Sequence, residues 1–202
     1  MNSLNIDWVP EFGTIHTWFA ADKHGRIAVM VNNCFGDLPR ALLQITDVES
    51  LLENMNEFIW EESPIFDAYP ENKNGAFSVD LFSHIRFRSH PDKAHITEEL
   101  KQDWQRLGSQ SDVNLAINKG MFLYFGVEGS SPGEDYPVGY EGTTQMGDYF
   151  RFLVPTVFAS VDDFPQPLRR GIAVSTIIDF EKDRLLDNRQ INTWFPAMFA
   201  GH

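Results

Sequence analysis

Gly129-Ser130-Ser131-Pro132-Gly133 matches the G-x-S-x-G pattern, in which Ser131 would be the nucleophile of a hydrolase. That chemistry needs the backbone N–H after the serine to hold the oxyanion, and here the next residue is Pro132, which has none. No helical pattern follows it, so the match is not read as a nucleophile elbow. His84, His90 and His95 stand six and five residues apart, a spacing that suits neither one helical face nor a zinc pattern. Arg86, Arg88 and Lys93 among them would repel a cation, so they are read as ordinary surface or core histidines. Asp162-Asp163 and the alternating Asp179, Glu181 and Asp183 are carboxylate groupings of the kind a glycosidase or metal-dependent hydrolase uses. Lys182 and Arg184 are interleaved with the second group, as on a solvated strand end or turn. The single cysteine, Cys34, is paired with no particular histidine by any sequence feature. P-loop, G-x-G-x-x-G and H-E-x-x-H patterns are absent. The expectation is therefore no catalytic residue, no metal site and no cofactor.

What remains is charge. Sixteen basic and 29 acidic residues give a net charge of −13, which disfavours nucleic acid and anionic membrane surfaces as partners. It suits a basic protein partner, because a broad negative field speeds that encounter; acidity can equally serve solubility alone. The acids collect in two places. Residues 126–148 hold six glycines, five acids and no basic residue, a 23-residue stretch long for a loop within a compact domain. Its acids Glu128, Glu134, Asp135 and Glu141, with Tyr136 and Tyr140 as apolar anchors, form the first candidate partner-binding surface. The second is a helix face carrying Glu49, Glu53 and Glu57, whose like charges four residues apart repel slightly. A solvated face explains that row as well.

These residues need a scaffold. TIHTWFA and RIAVMV flank Asp22-Lys23-His24-Gly25, which predicts a β-hairpin over residues 14–31. Residues 32–39 read as a loop. Val48, Leu51, Leu52, Met55 and Ile59 recur at helical spacing, with Thr46 as cap and Glu49 completing a capping box. Strands are predicted at 76–82, 121–127, 149–161 (with a break at Pro155) and 172–180, a helix at 97–107, and an apolar C-terminal piece docked on the core. Strands and helices do not alternate strictly. The fold class is α+β, a mostly antiparallel sheet with two or more packed helices in a single domain over residues 1–202. One cysteine and an acidic start without an apolar h-region fit a cytoplasmic protein.

The run Thr17-Trp18-Phe19-Ala20-Ala21-Asp22-Lys23-His24-Gly25-Arg26-Ile27-Ala28-Val29, followed by a loop with Gly36, Leu38 and Pro39, carries a resemblance. It resembles the "TWFAxDxxGxIAxF" opening and "LP"-ended loop of bacterial immunity proteins encoded beside polymorphic or contact-dependent toxins, including Rhs-type and type VI effectors. Met30 stands where an aromatic is common, and Asn32-Asn33-Cys34 where small residues or glycines are common. The resemblance covers about 30 of 202 residues and transfers no functional residue. It implies a cytoplasmic inhibitor that occludes one cognate toxin, with two alternatives. One is an enzyme that reverses a toxin's modification through carboxylates near Asp162, Asp163 or Asp179; the other is an interaction module unrelated to toxins.

Overall fold

The computed structural model describes residues 3–89, 92–129 and 134–201. The hairpin forms as expected. Strands β1 (Thr17–Ala21) and β2 (Ile27–Val31) pair antiparallel, and Gly25 takes φ +77 in the turn between them. Short helix α1 (Arg40–Leu43) and helix α2 (Val48–Ile59) follow, then strands β3 (Phe77–Val79) and β4 (Phe82–Ser83). Helices α3 (Lys93–Leu107) and α4 (Asp112–Ile117) precede strand β5 (Phe122–Gly126), the two-residue β6 (Pro137–Val138) and β7 (Tyr149–Pro155). The chain closes with α5 (Gln166–Arg169), β8 (Ile172–Val174), β9 (Leu185–Leu186), α6 (Ile191–Trp194) and β10 (Ala197–Met198).

The fold is α+β. Its main sheet has eight strands in the order β10-β8-β1-β2-β5-β7-β3, with β9 also on β7. The sheet is mixed: β1 with β8 and β2 with β5 run parallel, and the other pairs are antiparallel. The N-terminal hairpin thus lies at the centre, flanked on both sides by strands from far along the chain.

Side-chain alternation sends Phe19, Val29, Leu123 and Phe125 to one face and Trp18, Met30, Phe122 and Tyr124 to the other. The first face is covered by helices: Phe19 meets Phe164 at 5.9 Å, and Phe164 meets Phe58 of α2 at 5.8 Å. On the second, Trp18 packs edge-on against Tyr149 and Phe195, and Phe180 covers Phe122 and Tyr124. The Trp18 indole N–H donates to the Tyr149 hydroxyl (3.0 Å), which donates to the Asp37 carbonyl (2.9 Å). A side chain at Gly36 would run into that tyrosine ring, so the loop before Pro39 closes over the core only with glycine there.

Several expectations are corrected. Thr46 is not the cap of α2: Asp47 holds the N-cap position without a side-chain bond to the helix backbone, its carboxylate pairing with Arg170, and Glu49 accepts the backbone N–H of Leu4 (2.7 Å) instead of closing a capping box. Helix α3 begins four residues before Thr97, because Asp92 caps it by accepting the N–H of His95. The run 172–180 stops at Val174, because the Ser175 hydroxyl accepts the N–H groups of Ile177 and Ile178 and turns the chain. Asp179, Glu181 and Asp183 therefore share no strand face; Lys182 and Asp183 instead donate their N–H groups to the Asp179 carbonyl. The run 149–161 ends as a strand at Pro155, where the sequence already pointed to a break. The run 76–82 is split between β3 and β4, and β4 leaves the main sheet to pair with β6 inside the acidic loop. Helix α4 had no counterpart among the expected elements.

The end of α2 explains an unusual residue. Glu62 and Glu61 donate to the Glu57 and Phe58 carbonyls, and Glu61 sits at φ +59, where glycine is usual. Its carboxylate pairs with Lys119, which is 7% exposed and lies over the Tyr69 ring, so losing Glu61 would strand a buried ammonium.

Candidate functional site

At one end of the sheet β2 and β5 finish and β7 begins. Here Phe125, Phe150 and Phe152 form the floor of a cleft of about 330 Å³. Its walls are Asn33, the Ser83–Arg86 turn, Gly126, and the loop acids Glu128 and Asp135. Phe125 packs on Phe150 and Phe152 with centroids 6.2 and 5.6 Å away. Asn33, at φ +45, donates to the Gly126 carbonyl (2.9 Å), and a side chain at Gly126 would strike the Asn32 carbonyl. Two adjacent loops are thereby locked together at the cleft's edge.

Asp135 is fixed in place, accepting the Ser83 hydroxyl (2.5 Å) and the Ile85 N–H (3.0 Å). Glu128 stands at the rim. Partial burial, reinforced by the Asp135 charge, pushes its carboxyl above the usual range. A cation resting between them would offset the Asp135 repulsion and favour the ionised carboxylate. Arg86 lies over Phe87 and Phe152 (5.0 and 5.4 Å) and pairs with Asp112 at 3.2 Å. With Arg86 already over Phe152, the cleft offers Phe125 beside the Glu128 and Asp135 carboxylates, suited to a cationic side chain with an apolar stem that enters on that side.

The other expected surface residues fall around it unequally. Tyr136 stacks on His84 (4.6 Å, 15°) on the far side of the β4–β6 pair. Tyr140 packs partly on the core, and Glu141 is exposed; both lie near Arg184, whose guanidinium donates to the Gly139 carbonyl and whose pKa is raised chiefly by its hydrogen bonds to Asp80. Glu134 is exposed beside the cleft loop. Glu49, Glu53 and Glu57 lie on α2, over β1 and α5, and no residue of α2 lines the cleft.

The carboxylates of the enzyme alternative already have cationic partners: Asp162 pairs with Arg169 and Asp163 with Lys73. Asp179 is held by Arg26 and Lys23. His95 pairs with Asp92. Cys34 is buried at φ +70. Ser131 and the rest of the G-x-S-x-G run from Ser130 on lie outside the described residues, as does His90. Among the described residues, no three His, Cys, Asp or Glu side chains are grouped to hold a metal ion, and no helix is long and apolar enough to cross a membrane.

Two buried ion clusters went unforeseen. Asp22 accepts the backbone N–H of His24, Arg26 and Phe180 and the Arg26 guanidinium, which also reaches Asp179 and Glu181. Asp80 pairs with Arg151 (2.8 Å), Arg184 (2.7 Å) and, more loosely, Lys93 (3.8 Å). The one available signal was Arg151, a cation inside the otherwise apolar run YFRFLVP.

Burial pushes the Asp179 carboxyl up, but Arg26, the Glu181 N–H and Lys23 outweigh it and bring the pKa down to about 2. The folded chain binds this proton less tightly than the unfolded chain. The stabilisation is therefore complete above the ordinary carboxylate range and is lost as pH falls from about 4 toward 2. Urea midpoints measured across that window should fall steeply, and Asp179→Asn should remove part of the slope. An unchanged slope would mean Asp179 titrates normally in the folded chain.

No family model matches this chain, and no curated protein or solved structure matches it.

Proposed function

We propose that this protein is a cytoplasmic immunity protein that neutralises a basic toxin domain by binding and occluding it, without catalysis or a cofactor. The observation that carries the proposal is the aromatic-floored cleft rimmed by Glu128 and Asp135, on a chain of net charge −13. A lysine or arginine of the toxin enters the cleft, its stem on Phe125 and its charge beside the two carboxylates. The hairpin resemblance supports the same role. Glu134, Tyr136, Tyr140 and Glu141, which do not line the cleft, provide a further contact surface on the same loop, with the α2 acids acting through long-range steering.

The test is co-expression with the product of the gene immediately upstream, scored for growth rescue and co-purification. Rescue with a complex is the expected result. Glu128→Lys, at an exposed position, should weaken that complex at least tenfold with an unchanged melting temperature. Rescue without a complex would replace occlusion by an enzyme that undoes the damage. Neither rescue nor complex would leave an interaction module unrelated to toxins.

A further inference from the structure

Among the described residues, the most exposed large apolar side chain is Phe12, 84% accessible. Val9 (58%), Ile15 (61%) and Met146 (49%) are also exposed. Single exposed apolar residues are ordinary. Several of these gather at one place. Phe12 sits 6.4 Å from Phe35, in the loop that follows β2. Ile15 immediately precedes His16, whose N–H is held by Asn32 in that same loop (2.8 Å). Met146 precedes Gly147, which lies against the Phe35 carbonyl. Asn33, the next residue of the loop, lines the cleft. The apolar group and the cleft therefore share the end of the sheet where β2 and β5 stop and β1 and β7 start.

The segment carrying these side chains is held down. Trp8 is buried edge-on against His16 (5.4 Å), Leu4 is tied to Glu49, and Arg40 donates to the carbonyls of Ile6 and Trp8. Val9 and Phe12 point to solvent from a segment already fixed, so burying them in an interface costs little ordering entropy. Residues 3–16 contain Asp7 and Glu11 and no Lys or Arg, so the charge around them matches that of the cleft. A second copy of this chain would bring another −13 and a like-charged rim, which opposes self-association.

Resting on the proposal that the cleft binds a basic protein, we infer that the N-terminal segment is the apolar half of the same interface. Phe12 is its anchor, flanked by Val9, Ile15 and Met146, and the occupant is the apolar patch bordering the basic site of that one partner. The cleft supplies the charge-matched contact and Phe12 the desolvated one, the division between polar rim and apolar centre found in tight interfaces.

The experiment titrates the purified toxin domain encoded immediately upstream against wild type, Phe12→Ser, Ile15→Ser and Glu128→Lys, each checked for an unchanged melting temperature. Hydrogen exchange of the wild-type complex is read in parallel. Expected are at least tenfold losses of affinity for Phe12→Ser and Glu128→Lys, a smaller loss for Ile15→Ser, and new protection over residues 9–16. Wild-type affinity in Phe12→Ser with loss in Glu128→Lys would overturn the inference and leave the cleft standing. Loss in Phe12→Ser with wild-type affinity in Glu128→Lys would keep the segment and overturn the cleft. A wild-type dimer that Phe12→Ser converts to monomer would assign the patch to a second copy and overturn the inference. No complex with the wild type would overturn both.

Discussion

Asp80→Ala should cost about 3–5 kcal/mol of folding stability, read as a fall in the urea midpoint, because it strands buried positive charge. Asp80 is 8% exposed and is the carboxylate that Arg151 and Arg184 share. Burial alone would raise its pKa; the two guanidinium groups outweigh burial and lower it. Arg151 is also 8% exposed, and without Asp80 its guanidinium keeps, among the described residues, the Phe180 carbonyl (2.6 Å). Arg184 is half-buried and can turn toward water. The diagnostic comparison is therefore Asp80→Leu combined with Arg151→Met, which removes both buried charges. It should recover much of the loss, as replacing a whole buried pair does. A double variant no more stable than Asp80→Ala would show that these side chains contribute through packing and not through charge.

Asp22→Ala should cost about 3 kcal/mol or more by the same measurement, through a different route. Its two oxygens accept the N–H of His24 (2.9 Å) and Arg26 (3.0 Å), two Arg26 guanidinium bonds (2.9 and 2.7 Å) and the N–H of Phe180 (3.0 Å). One carboxylate thus closes the hairpin turn, neutralises a buried arginine and pins the segment after Ser175 over the sheet. Alanine leaves three backbone donors and part of a guanidinium short of an acceptor. An asparagine side chain has one acceptor oxygen and could replace only some of these bonds, so Asp22→Asn should fall between wild type and alanine. Hydrogen exchange should accelerate at residues 22–26 and 178–183 together; acceleration confined to the hairpin would break the proposed link between them. This also explains the conspicuous feature of the TWFAADKHGRIAV run. Its aspartate, glycine and arginine do structural work.

What was legible in the sequence depended on how local the cause was. The β1–β2 hairpin follows from a turn-forming Asp-Lys-His-Gly between β-branched and aromatic runs, and α2 from apolar spacing over twelve residues. Strand β8 was overextended because Thr176-Ile177-Ile178 continue the apolar pattern, while a single hydroxyl at Ser175 redirects the backbone. Six-residue α4 is too short for its period to show. The parallel pairings join residues about 90 and 150 positions apart, which no local pattern reports. At the cleft, Glu128 and Asp135 stood out as acids in a glycine-rich stretch. Phe125, Phe150 and Phe152 did not, because among 17 phenylalanines nothing separates a cleft floor from a core. Phe12 was invisible for the converse reason, since its type predicts burial.

The central place of the first hairpin has a consequence for biogenesis. Synthesis delivers β1 and β2 first, yet their outer edges are covered only by β5 and β8. At about 5–20 residues per second, the edge of β1 awaits its partner for roughly 7–30 s while about 140 further residues emerge. During that interval the nascent chain presents two unpaired strand edges flanked by Trp18, Phe19 and Ile27, a template for joining other nascent copies. A chain truncated before Ile172 keeps one of those edges open permanently, so prematurely terminated products should aggregate where the full-length chain does not.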